Sequence, residues 1–306
     1  MDKNKAIDLN HLSVLEVNGE GSFDLLQGQI TCDVSKVSAT NSELGALCNA
    51  KGRIISSFNL CYLQDRSYAL IGHTEALLKT EEELKKYSPF YKVELNENKS
   101  FSFFGVDKDT FKDIYNEKVV QTENTIEIGG CRFISYLGKK FLLAFCNEDG
   151  LTEFKNLFEP IEERAQWNLD EILCRNVEIS KENIGKFTPH ELNYDVNNRI
   201  DFDKGCYTGQ EVVARMQYRS KNLPRLNIAE SSDLKITEKM TLTNAEDRKI
   251  GNLVKVVNLE KKSVCLISAK KKTYLESSFK VKETNSTLTI SKKALSPVNR
   301  TDSFRL

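Results

Sequence analysis

Asp201-Phe202-Asp203-Lys204-Gly205-Cys206-Tyr207-Thr208-Gly209-Gln210-Glu211-Val212-Val213-Ala214-Arg215 is the stretch on which the reading of this 306-residue chain turns. Thr208 followed three residues later by Glu211 is a capping-box pattern. It predicts a helix N-terminus at Thr208, with Val212, Val213 and Met216 on the buried side. Cys206 then lies two residues ahead of the cap. Free amides at a helix start, with Lys204 nearby, favour thiolate over thiol, which makes Cys206 a candidate reactive group. Asp201 and Asp203 oppose that potential, and a small apolar filler is the competing reading. Gly205 and Gly209 allow close backbone approach or positive φ on either side of the cysteine.

Beyond this stretch the chain changes character. Residues 221–306 hold 18 Lys plus Arg against 9 Asp plus Glu, whereas residues 1–220 hold 26 against 35, so a formal net charge of zero conceals +9 and −9. Pro224 disfavours helix at the residue before it, and a new pattern begins there, so the expected domains are 1–222 and 223–306. Short β-prone runs follow at Leu226 to Ala229, Ile250 to Val257, Val264 to Ile267, Phe279 to Val281 and Leu288 to Ile290, which predict a small antiparallel barrel or sandwich. Its lysines read either as a module facing RNA or another polyanion, or as a solvated face.

Residues before 221 mix strands and helices, an α+β pattern with no internal repeat. Strands are expected at Leu12 to Val17, Ile54 to Leu63, Tyr68 to Ile71, Tyr91 to Leu95, Ile126 to Tyr136 and Phe141 to Cys146. In the second of these, Ile54, Ser56, Phe58, Leu60 and Tyr62 fall on one face, and Ile55, Ser57, Asn59, Cys61 and Leu63 on the other. Thr74 is expected to cap a helix ended by Pro89, Asp149 to start another, and Asn168 to Arg175 to end a third.

Composition sets outer bounds. With 40% hydrophobic and 29% charged residues this is a globular chain, neither disordered nor uniformly basic. No signal-peptide run opens it and no stretch of about 18 apolar residues is present to span a bilayer, so the expected location is the cytoplasm, with no membrane partner. No two of the eight cysteines are closer than 13 positions, which excludes CxxC pairs; reduced thiols and no tightly held metal are expected. His11, His73 and His190 show no HxH or HExxH spacing, and no G-x-S-x-G elbow exists. The Glu81-Glu82-Glu83 and Lys270-Lys271-Lys272 runs read as solvated faces.

Lys204 through Glu211 resembles the KGC-Y-x-G-Q-E signature of the folate-binding YgfZ family, relatives of the glycine-cleavage T-protein, and Val213-Ala214-Arg215 continues as that family does. Leu26-Gln27-Gly28-Gln29-Ile30-Thr31-Cys32-Asp33-Val34 is similar to its LQGQ-x-T-x-D-V motif and Asn49-Ala50-Lys51-Gly52-Arg53 to its A-K-G-R segment. Lys85 to Val93 and Phe187 to Asn193 fall where the family has similar runs, and order and spacing agree over about residues 12–225. The resemblance implies a T-protein-like fold, with two interleaved α+β parts around a folate pocket and a C-terminal antiparallel β-barrel. It also implies an accessory role, linked to tetrahydrofolate, in assembly or repair of iron–sulfur enzymes, including those that thiomethylate tRNA.

For the site, the resemblance singles out Cys206 and Lys204 as functional, and Trp167 as a folate-contacting aromatic, with a core anchor as the alternative. Glu178, in an N-V-E element, is the candidate carboxylate for the pterin N–H donors, although Ile179-Ser180 departs from the family's usual Ala-Gly. Arg215 and Arg53 are candidates for the folate tail or a phosphate, and each is equally readable as a surface cation. The T-protein has an acidic pair where this chain has Ser56-Ser57. Serine is a poor base, so the alternative function, a tetrahydrofolate-dependent one-carbon transferase of the aminomethyltransferase type, lacks its main group.

Overall fold

Two sheets built from interleaved stretches of chain pack face to face, and a closed barrel follows them. The computed structural model describes residues 4–116, 123–136, 138–219, 222–270, 273 and 279–291. The chain opens on β1 (Asn4–Asp8) in the first sheet, then crosses to the second for β2 (Leu12–Gly19), α1 (Ser22–Gln29), β3 (Glu43–Cys48), β4 (Ile54–Gln64), β5 (Ser67–His73), α2 (Thr74–Leu84), α3 (Ser88–Tyr91) and β6 (Val93–Asn98). It returns to the first for β7 (Ser102–Asp107), α4 (Lys108–Tyr115), β8 (Thr125–Ile128), β9 (Cys131–Ile134), β10 (Phe141–Cys146), α5 (Glu148–Leu157) and β11 (Phe158–Ile161). The first sheet runs β11-β1-β7-β10-β9-β8 and the second β3-β4-β5-β2-β6. Among the described strands the β1–β11 pair alone is parallel; it closes the first sheet across the whole inserted second one.

Each sheet buries both faces. Leu25 and Leu26 of α1 and Leu77 and Leu84 of α2 cover one side of the second sheet, packing in one core with its Phe58 and Leu60. Its other side, carrying Cys61, Ala69 and Ile71, meets Ile7, Phe103, Phe141 and Leu143 of the first sheet. Phe111 of α4 and Phe154 of α5 cover the outer side of the first sheet. Ile54 to Cys61 are therefore buried residue by residue; from Phe58 on the expected alternation sorts Phe58 and Leu60 to one core and Cys61 to another, whereas Ile55 joins the core of Phe58 and Ile54 a third one.

The remaining elements are α6 (Arg164–Cys174), a long irregular passage, α7 (Gln210–Arg219), and strands β12 (Pro224–Ser231), β13 (Thr241–Thr243), β14 (Lys249–Asn258), β15 (Ser263–Lys270), β16 (Phe279–Val281) and β17 (Ser286–Ile290). These six strands close into an antiparallel barrel in the order β12-β15-β14-β13-β16-β17. The α+β architecture with its C-terminal barrel is the one the sequence implied. Lys270 is exposed at the end of β15, while Lys271 and Lys272 lie outside the described residues.

Local expectations fail in four places. Thr208 does not cap: its hydroxyl donates to Gln29 Oε1 at 2.9 Å, and α7 begins at Gln210. Thr74 likewise gives its hydroxyl to the His11 carbonyl, while α2 stops at Leu84 and Pro89 sits in the first turn of α3, where its missing N–H costs nothing. Ile126 to Tyr136 is a hairpin, β8 and β9, turned by Gly129 and Gly130 at positive φ. Cys131 and Cys146 face each other across β9 and β10 and are joined as a disulfide, contrary to the expectation of eight reduced thiols. Sequence separation carries no information about cross-strand register.

Candidate functional site

Ser57, Asn59 and Cys61 share the face of β4 that looks toward the first sheet, and the polar centre of the molecule is built on them. Ser57 Oγ accepts the Ile179 N–H at 2.8 Å, which fixes the irregular passage at the residue after Glu178. Tyr194 supports the same passage by donating its hydroxyl to the Val177 carbonyl at 2.8 Å. Glu178 is thereby held, 7% exposed, with Asn59 Nδ2 3.4 Å and Arg199 Nη2 3.6 Å from its Oε1. Burial pushes its carboxyl pKa above the usual range, and the charges of Arg199 and Lys139 oppose that rise.

Arg199 is fully buried. Nε donates to Asn176 Oδ1 at 3.0 Å, and Nη1 reaches the carbonyls of Gly45 at 3.4 Å and Phe58 at 3.3 Å. Asn59 Oδ1, Tyr136 OH and Arg199 Nη2 are buried with no hydrogen-bond partner among the described residues. Orphaned polar atoms of this kind gathered around one carboxylate are unusual in a protein interior and suit a polar ligand.

Trp167 lies in the core between the sheets, 4% exposed. Gly105 makes room for it, since a Cβ there would come within 2.8 Å of Trp167 Cε3. The Lys139 ammonium stands 4.5 Å from the Trp167 ring centroid and 5.5 Å from that of Tyr136. One turn along α6, Asp170 accepts the N–H groups of Lys140 and Phe141 at 3.0 and 3.4 Å and so fixes the loop bearing Lys139. Glu171 on the same face pairs with Lys255 of β14, joining α6 to the barrel. Of the sequence candidates, Glu178 and Trp167 thus lie in one region, for Lys139 stands over the Trp167 ring and its charge acts on Glu178. Asn59, Tyr136, Lys139 and Arg199 were not anticipated. The available signal was Ser57-x-Asn59, two polar residues on one face of an otherwise apolar strand.

His11 and His73 flank Glu171 and Lys255, their rings 4.6 Å apart. Burial, reinforced by neighbouring positive charge, lowers the pKa of His73 to about 4 and of His11 to about 2. Both rings are neutral in the folded protein at pH 6.5, but protonate at their ordinary pKa once unfolded. Their contribution to stability is therefore complete above pH 6.5 and falls with pH toward 4 for His73 and beyond for His11, by about 1.4 kcal/mol per pH unit for each ring. Thermal unfolding between pH 6.5 and 4 should show a shallower pH dependence in His73→Gln than in wild type; equal slopes would contradict the assignment.

The signature stretch forms a second assembly with the other family-like segments. Lys204 donates to the carbonyls of Ile30 at 2.8 Å and Cys32 at 2.7 Å, and Thr208 N–H donates to the Gly28 carbonyl at 3.3 Å. Lys204 therefore clamps the loop to the end of α1 instead of being aimed at the Cys206 thiol, and the amides of α7 start four residues beyond that thiol. Gly209, at φ +85°, would drive a Cβ to 2.6 Å from the Asn49 carbonyl oxygen. Gly209→Ala should lower stability by about 1–3 kcal/mol in denaturant unfolding, and an unchanged midpoint would contradict this packing. Arg53 gives Nη1 to the Lys186 carbonyl at 2.8 Å and to Glu191 at 3.1 Å, a structural use; Arg215 is exposed on α7.

Cysteine accessibility separates the thiols. Burial pushes Cys32, Cys48, Cys61, Cys174 and Cys265 up to about 12. Cys206 is the one exposed cysteine. No group of three or more metal-binding side chains, and no helix long and apolar enough to cross a membrane, is found among the described residues. A shallow open cleft of about 400 Å3 beside Asn18, Arg66 and Phe101 is lined by none of the site residues.

No protein-family model matches the chain. Its sequence is 30% identical over 224 residues to the tRNA-modifying protein YgfZ of Colwellia psychrerythraea, covering 71% of this chain and 68% of that protein. The YgfZ of Vibrio atlanticus is 31% identical over 231 residues, covering 72% and 69%. The chain belongs to the YgfZ family. A third YgfZ protein, from Yersinia pestis, is 31% identical over 228 residues, covering 71% of this chain and 68% of its own. In fold, this YgfZ-family chain is similar to the glycine cleavage system aminomethyltransferase T of Bartonella henselae, with a TM-score of 0.69 over 94% of this chain and 85% of that one. At 12% identity the likeness is one of architecture.

Proposed function

We propose that this protein is a folate-binding accessory factor for assembly or repair of iron–sulfur enzymes, among them enzymes that modify tRNA, and that it acts through Cys206. The observation that carries the folate reading is Glu178 in a buried polar centre, ion-paired with Arg199, where Asn59 Oδ1, Tyr136 OH and Arg199 Nη2 have no hydrogen-bond partner among the described residues. A pterin edge offers adjacent N–H donors for a carboxylate, together with acceptors for a guanidinium or an amide. Glu178, Asn59, Tyr136 and Arg199 are the residues that would hold it, with Trp167 and Lys139 beside them and Arg215 as the exposed cation for the glutamate tail. Tetrahydrofolate or a derivative would supply one-carbon or reducing chemistry when bound. No resident metal forms part of the proposal.

The transferase alternative gains nothing from the geometry. Ser56 is hydrogen-bonded to Thr80 at 2.5 Å and Ser57 holds Ile179, so both hydroxyls that stand in place of the acidic pair are committed to structure. An exposed thiol on a tightly clamped loop suits contact with another macromolecule. Whether Cys206→Ala restores iron–sulfur enzyme activity in cells lacking the protein tests the accessory role. Direct nucleic-acid binding is not needed for it, and cytoplasmic location follows from the same reading.

A further inference from the structure

The segment from Lys85 to Val93 has no part in the site so far, yet it exposes Phe90 to 84%, the largest value for a bulky apolar residue among those described. Tyr87 is 38% exposed on the same turn and Phe23 39% exposed on α1. α3 sits against the start of α1, so closely that a Cβ on Gly21 would lie 3.0 Å from Tyr91 Cβ. Isolated exposed aromatics need no explanation, but here three stand on or beside two adjoining elements, enough for one apolar patch. From that patch α1 leads to the signature loop: Phe23 and Gln29 are about 9 Å apart along the helix axis, and Gln29 accepts the Thr208 hydroxyl. The exposed Cys206 and the aromatic patch therefore stand at opposite ends of one short helix.

The charge around the patch indicates what it fits. Residues 20–33 and 74–94 carry eight acidic and four basic side chains, a net charge of −4. The lysines nearest the aromatics are already paired, Lys85 with Glu81, Lys86 with Glu83 and Lys92 with Glu20. A polyanion would meet repulsion here, whereas a protein presenting an apolar side chain framed by basic groups would meet complementary charge. We infer that the face made by α1 and α3, ending at Cys206, is the docking surface for the protein client of this factor, a client with a basic-rimmed apolar anchor. The inference rests on the accessory role proposed above and adds its surface. Enzymes that act on tRNA carry basic surface near their RNA site, which satisfies the charge requirement.

Phe90→Glu tests it, because so exposed a position tolerates the change. In cells lacking the protein, wild type should restore thiomethylated tRNA, while Phe90→Glu and Cys206→Ala should each fail. Purified tRNA-thiomethylating iron–sulfur enzyme should bind Phe90→Glu at least about tenfold more weakly than wild type, with thermal unfolding and tetrahydrofolate titration unchanged. Full restoration by Phe90→Glu alongside failure of Cys206→Ala would overturn the docking surface and leave the accessory role standing. Full restoration by Cys206→Ala would remove that role and the inference with it. Binding of tRNA that depends on Phe90, or a Phe90-dependent dimer in sedimentation, would overturn the inference in favour of RNA or of a second copy.

Discussion

Arg199→Met should lower the free energy of unfolding by about 3–5 kcal/mol at pH 7, the usual cost of stripping one partner from a buried ion pair. The guanidinium is fully buried and ties three parts of the fold together: Asn176 at the exit of α6, the Gly45 and Phe58 carbonyls of β3 and β4, and Glu178. Methionine approximates its volume but leaves those acceptors bare. The pH dependence identifies the mechanism. Burial already holds the folded pKa of Glu178 above its ordinary value, and loss of Arg199 raises it further. A raised carboxyl pKa leaves stability intact below the unfolded value of about 4.3 and removes it as pH rises through the folded one. The gap between wild type and Arg199→Met should therefore narrow from pH 7 to pH 4, as read by denaturant unfolding at each pH. A constant gap would mean that the arginine acts only as a hydrogen-bond donor.

The second large effect is functional. Cys206→Ala should abolish restoration of iron–sulfur enzyme activity in cells lacking the protein while leaving folding and tetrahydrofolate binding unchanged. Lys204 keeps the loop in place through the Ile30 and Cys32 carbonyls, whichever side chain occupies position 206. Among the eight cysteines the remainder are buried, partly buried or in the disulfide, so no second thiol is placed to substitute. Lys204→Met should by contrast destabilise the loop, because it strips two carbonyls of a buried partner. Full activity of Cys206→Ala in the cell assay would remove the thiol from the mechanism.

How much of this was legible beforehand depended on whether the information was local. Five of the six barrel strands are legible from Leu226 onward, because short β-prone runs between Asn, Asp, Ser and Lys clusters carry their own punctuation; the short β13 does not stand out. The interleaving of the two sheets was implied by resemblance and not by pattern, since β1 finds β11 across some 150 intervening residues. At Thr208 the capping-box pattern fails because it is a local motif, and here a tertiary partner, Gln29, takes the hydroxyl instead. Adjacency in sequence points Lys204 at the thiol, whereas its long side chain reaches back to the end of α1. Glu178 and Trp167 stand out through resemblance alone. Arg199 and Tyr136 are not legible in the sequence, because a lone Arg or Tyr in a mixed stretch gives no sign of being buried.

The central claim, that the polar centre around Glu178 holds a folate, is tested most directly by calorimetric titration of tetrahydrofolate into wild type and into Glu178→Gln. Saturable heat is expected with wild type. A loss of roughly a hundredfold in affinity is expected with Glu178→Gln, because a site built to accept paired N–H donors is left with a mismatched amide. No heat from wild type at millimolar ligand, or equal affinities for the two proteins, would contradict the account.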